Sequence, residues 1–121
     1  MLDANSVINL FSGHFPKLNE RVGNEAAGDI VISTIAYAEV ALGSENGKLP
    51  ESELLAAFVA EIPVVDFDVA AAMAYSRLPF KRGNFDRLIA AHALSLGLTI
   101  ISQNTRDFAD VPGLKVENWT V

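Results

Sequence analysis

The 121-residue chain has the length of one domain, and surface scaling gives it a real core, with roughly 66% of the unfolded chain's surface buried. Half the residues are apolar and a fifth are charged, a globular rather than a disordered balance. The absence of cysteine excludes disulfides, thiolate metal sites and a cysteine nucleophile, and a formal charge of -6 argues against a general nucleic-acid coat.

In chain order, Met1-Leu2 reads as the stub of a first strand, ending at Asp3. Asn5 is a candidate cap for a short helix over Ser6–Phe11. The β-branched run Ile30-Val31-Ile32 predicts a buried strand over Asp29–Ser33, leading directly into a helix from Thr34 to Leu42 that Gly43 ends. Gly47 and Pro50 mark a loop. A helix over Glu51–Glu61 follows, stopped at Pro63, then a strand over Ile62–Val65 and an Ala-rich helix over Asp68–Ser76. Pro79–Asn84 is a basic loop. Phe85–Leu96 is the clearest helix, closed by Gly97, and precedes a strand over Leu98–Ser102. A turn around Thr105–Ala109 and a strand near Lys115–Glu117 complete the chain. Strands separated by helices, without polar alternation, imply a parallel sheet covered on both faces.

Met1-Leu2-Asp3 lacks the basic region and apolar stretch of a secretory signal. The longest apolar tracts, Ile30–Gly43 and Leu88–Ile101, are shorter than a membrane span and contain Glu39 and His92. The expectation is a soluble, cytoplasmic protein, one domain over residues 1–121, with no membrane partner. Between Ser76 and Asp107 five basic side chains (Arg77, Lys81, Arg82, Arg87, Arg106) meet two acidic ones, a balance of +3. The other 89 residues hold four basic and thirteen acidic groups, a balance of -9. A basic strip on an acidic body suits local contact with a polyanion, and it also suits an ordinary solvated face.

In parallel α/β folds, chemistry collects where strand carboxyl ends meet the following loops and helix starts. Asp3, Asp86 and the segment Ser102–Asp107 fall at such places. Glu39 lies within a helix and shares a face with Ile35, Ala36, Leu42 and Gly43. An unpaired carboxylate there is costly, so it either reaches water at the rim of the core or faces a cation. Asp3 and Asp86 also suit helix caps or partners of a helix dipole. Taken together at strand ends of one sheet, the acids suggest a carboxylate cluster whose hard oxygens favour Mg2+ or Mn2+. No phosphate-cradling glycine motif or nucleophile elbow occurs. His14 and His92 are the two imidazoles, too few with no cysteine for a zinc site. Among the aromatics, Phe80, beside Lys81-Arg82, is the best candidate to stack on a base.

The sequence resembles the PIN-domain nucleases, and within them the VapC-type toxins of toxin–antitoxin pairs. The matching stretches are MLDAN at the start, STIAYAE over Ser33–Glu39, FDRLIAAHAL over Phe85–Leu94, TIISQNTRDF over Thr99–Phe108 and VPGLKVENW over Val111–Trp119. The resemblance implies a three-layer α/β/α fold around a five-stranded parallel sheet of order 3-2-1-4-5. It matches Asp3, Glu39 and Asp86 to the family's three recurring acids. Asp107 becomes a secondary fourth, with Asn104 as a polar neighbour and Asn5 as a group orienting Asp3. Two departures stand out: Ala4 replaces the usual threonine, and only two residues precede Asp3.

The implied activity is Mg2+-dependent (or Mn2+-dependent) endonucleolytic cleavage of structured RNA, tRNA above all, leaving 5′-phosphate and 3′-hydroxyl ends. Lys81, Arg82, Arg87 and Arg106 would hold the RNA backbone. A VapB-type antitoxin would silence the enzyme by sending an arginine into the acidic pocket, and homodimers within a larger complex are common in the family. Three rival readings remain at this stage. They are a PIN nuclease outside any toxin system, a receiver-like Mg2+-binding signalling module, and a metal-free RNase using His14 and His92 as base and acid.

Overall fold

The computed structural model describes residues 1–121 apart from Phe80 and Arg82. The helices are α1 (Ala4–Ser12), α2 (Pro16–Gly23), α3 (Thr34–Glu45), α4 (Ser52–Glu61), α5 (Val69–Ser76) and α6 (Phe85–Leu96). The strands are β1 (Ile32–Ser33), β2 (Val64–Val65), β3 (Ile100–Ile101) and β4 (Val116–Glu117), and a 3-10 helix covers Thr105–Phe108. β1 pairs in parallel with β2, and β3 with β4. Leu2 joins the two ribbons, bridging in parallel to Ile32 on one side and to Ile101 on the other. Its N–H donates to Val31 O at 3.0 Å, while Asp3 N donates to Ile101 O at 3.2 Å.

Neighbouring residues of a strand point to opposite faces. Ile32 with Ser33, and Ile100 with Ile101, are buried as pairs, so helices cover both sides of the pairing as the apolar runs require. Leu2, Val7, Ile32, Val40, Ile89, Ile100 and Phe108 form the centre of the core. α3 packs against α1, α4 and α6, and α6 packs against α5 and the 3-10 helix. No described helix is long and apolar enough to cross a membrane.

Several boundaries differ from the sequence reading for identifiable reasons. Asp3, not Asn5, caps α1: Asp3 Oδ1 accepts from Ser6 N at 2.8 Å, and Asn5 is exposed inside the helix. α3 continues through Gly43 to Glu45 and ends before Gly47, whose φ of 78° takes the left-handed region open to glycine. α2 has Pro16 at its first turn and no side-chain cap, and Leu18 is its one buried residue. Leu18 and Val22 are its only aliphatic side chains, which gives little to read.

Candidate active site

Each acid is positioned by a different element. Asp3 is 2% exposed and is fixed at both ends, by its backbone bond to Ile101 and by its capping bond to Ser6 N. Ser6 Oγ in turn donates to Ile101 O at 2.9 Å, so the start of α1 is tied to β3. Glu39 lies on α3, which packs between α1 and α6. Its Oε1 is buried with no hydrogen-bond partner. Asp86 stands in the first turn of α6, where Asn84 Oδ1 caps Arg87 N at 3.0 Å. Asp107 is exposed on the 3-10 helix.

The electrostatics connect these four groups. The Glu39 carboxyl is raised above its ordinary range by burial first, then by the charges of Asp86 and Asp3. Asp86 is raised by burial, then by Asp3 and Asp107. Mutual repulsion of this kind requires the carboxylates to share one neighbourhood, although they come from four separate stretches of chain. Among the described residues, no three Asp, Glu or His side chains stand close enough to enclose an ion unaided. The donor set nonetheless suits a hard divalent cation: several carboxylates repel one another, and the Glu39 oxygen is buried without a donor. Glu39 also lines a hollow of about 670 Å³ with Ile8, Leu42 and Leu49, and the last two are exposed apolar side chains.

The remaining sequence candidates divide. Asn5 does not steer Asp3 through the cap, which Ser6 N occupies. Asn104 is exposed, and its backbone N–H donates to Ser102 Oγ at 3.0 Å. Arg106 is exposed beside Asp107. Lys81 is also exposed, with Nζ 3.3 Å from Asp110 Oδ2. Arg87 is not part of an exposed strip: it is 3% exposed, with Nη1 3.2 Å from Asp110 Oδ2 and Nη2 donating to Pro79 O at 2.7 Å. Its guanidinium is committed to Asp110 and the Pro79 carbonyl, so it ties these segments together. The sequence placed Arg87 in the basic strip by its charge and its neighbour Asp86, but a helix turns adjacent positions about 100° apart. Arg82 and Phe80 lie outside the described residues. His14 is exposed while His92 is 1% exposed, which removes the paired-histidine mechanism. Ser6 and Ser33, buried polar residues that organise the starts of α1 and α3, were missed as site supports; each stands three residues or fewer from an acid or a strand end.

The PIN domain family model matches residues 1–114. A tRNA(fMet)-specific endonuclease VapC from Shigella flexneri is 36% identical over 129 residues, covering 99% of this chain and 97% of that protein. Its namesake from Salmonella typhimurium is 30% identical over 128 residues, covering 98% and 96%. Among solved structures, DNA-bound VapBC from Salmonella typhimurium superposes with a TM-score of 0.83 at 29% identity, covering 98% of this chain and 96% of that one. VapBC-1 from nontypeable Haemophilus influenzae also gives 0.83, at 27% identity, covering 100% and 98%. The chain belongs to the PIN-domain family and, within it, to the VapC ribonucleases, the endonuclease toxins that pair with a VapB-type antitoxin. The receiver-like reading falls with that assignment.

Proposed function

We propose that Asp3, Glu39 and Asp86, with Asp107 at the rim, hold one or two Mg2+ (or Mn2+) ions. The chain then hydrolyses phosphodiester bonds in structured RNA, leaving 5′-phosphate and 3′-hydroxyl ends. The observation that carries this reading is the buried Oε1 of Glu39, which has no hydrogen-bond partner and lies near enough to Asp3 and Asp86 for their charges to raise its carboxyl. Such an ion supplies charge neutralisation for the carboxylates, polarisation of a phosphate oxygen and a more acidic water. The protein's part is positional. Asp3 is held rigid by Ser6 N, Glu39 presents a partnerless oxygen, and Asp86 projects from a firmly capped helix.

Arg106, exposed next to Asp107, is the best placed of the described basic candidates to meet the RNA backbone, with Lys81 as a second contact. The two relatives named for tRNA(fMet) make that tRNA the first substrate to test. The hollow beside Glu39 suits an apolar antitoxin segment that delivers a cation to the acids. Leu2, paired in parallel on both sides, supports the sheet order 3-2-1-4-5 in three α/β/α layers. A cytoplasmic location and a homodimer within the toxin–antitoxin complex follow the same family reading.

The test is cleavage of tRNA(fMet) in Mg2+ by wild type and by Asp3→Asn, with ends mapped and folding checked by circular dichroism. The variant is expected to lose at least a hundredfold in rate, on the order of what removing one electrostatic stabiliser costs. Undiminished cutting by the folded variant would discard the metal assignment.

A further inference from the structure

His92 is the one histidine in the core, and the mechanism above does not use it. It sits on the face of α6 turned toward the beginning of α3. Its Nδ1 lies 2.8 Å from Ser33 Oγ, its ring meets Phe67 edge-on at 5.4 Å between centroids, and its Nε2 is buried without a hydrogen-bond partner. Ser33 is fully buried and caps α3, its Oγ accepting from Ile35 N at 3.0 Å. One residue on, Thr34 Oγ1 accepts from Phe67 N at 3.1 Å, so the same loop that packs on the imidazole also grips the start of α3.

Proton counting selects the tautomer. The Ser33 hydroxyl has one proton to give, and its oxygen already accepts from Ile35 N–H. With Nδ1 as acceptor, the serine proton and the Nδ1 lone pair satisfy each other, leaving only the Nε2 N–H without an acceptor at full hydrogen-bond geometry, though the Asp66 carbonyl stands beside the ring. With the proton on Nδ1, both the Nε2 lone pair and the serine proton lack a partner in a buried place, which costs more. Burial also favours the uncharged ring: it lowers the His92 pKa, against the opposing influence of the Asp68 charge, the Asp66 carbonyl and the Asp66 charge.

We propose that His92 is a positioning residue. By accepting the Ser33 hydroxyl proton at Nδ1, it fixes the cap of α3 and thereby the place of Glu39 on that helix. This role rests on the reading of Glu39 as an acid of the nuclease site. It differs from a packing role because it depends on an acceptor at one ring atom, which an asparagine side-chain oxygen reproduces and a leucine does not.

The first measurement is ring 15N NMR on the metal-free protein near neutral pH. The Nε2–H tautomer is expected, and a proton on Nδ1 would overturn the proposal whatever the protein's activity. The second follows the Glu39 carboxyl by 13C NMR in metal-free His92→Leu and His92→Asn. Its titration midpoint should move in the first variant and return toward wild type in the second; an unmoved midpoint in His92→Leu refutes the link. On tRNA, His92→Leu should lower kcat about tenfold with KM within about twofold, the signature of a misplaced group rather than lost binding, and His92→Asn should recover most of it. Equal losses in both variants would reduce His92 to packing. A wild type that fails to cut RNA would sink the nuclease reading alone, since the two NMR results stand apart from it.

Discussion

A carboxyl group held above its ordinary range makes the folded state prefer the protonated form, and Glu39 and Asp86 are both in that condition. The linkage then has a definite sign. The stability these groups allow is fully present below the unfolded carboxylate range and is lost as pH rises through their folded values. In the presence of chelator, Glu39→Gln should therefore raise Tm at pH 7, by roughly 3 °C, and the gain should vanish below about pH 4, where both proteins carry a neutral group. Mg2+ should reverse the order by stabilising wild type more than the variant. Thermal melts across pH, with and without Mg2+, check all three points; a variant less stable than wild type at pH 7 in chelator would show that repulsion does not govern this side chain. Glu39 was legible in the sequence because an acid on an apolar helix face needs an explanation. Whether water or other acids supplied it was not legible, since that depends on α1 and α6 arriving from distant parts of the chain.

At the scale of elements, α6 was readable to both ends because its signals are local: Asn84 caps it, and Gly97 closes it at φ 67°. α3 was not, because a glycine that costs about 1 kcal/mol inside a helix is tolerated where the flanking turns pack against α1, α4 and α6. The strands were overextended for a related reason: a β-branched run reports burial, while pairing is limited to the few residues that meet a neighbour. Arg87 shows what sequence proximity conceals. One residue from Asp86, it binds Pro79 O and Asp110, joining the start of α6 to the chain that follows the 3-10 helix bearing Asp107. Arg87→Ala should cost about 2 kcal/mol, the scale of buried hydrogen bonds to a charged group. It should also lower cleavage by loosening Asp86 relative to Asp107. Urea melts give the first quantity. An unchanged melt would mean that the loop finds other partners, and Arg87 would then be free of any structural duty.

For the whole molecule, a charge of -6 sets a puzzle for an enzyme that must approach a polyanion, and the fold answers only part of it. The sequence suggested five basic residues between Ser76 and Asp107. Arg87 is withdrawn into the interior and Lys81 is partly neutralised by Asp110, so among the described residues of the strip more of the load falls on exposed Arg77 and Arg106 than the composition implied. Counterion release then provides a measurement. Each phosphate neutralised adds about one to the slope of log affinity against log salt, so Arg106→Ala should weaken tRNA binding, raising KM several-fold at moderate salt while leaving kcat within about twofold, and should flatten that slope by about one. The distinction matters because Arg106 adjoins Asp107. A loss in kcat with the salt slope intact would mean that the guanidinium acts on the acids rather than on the RNA, and the polyanion would have to be held by another part of the surface.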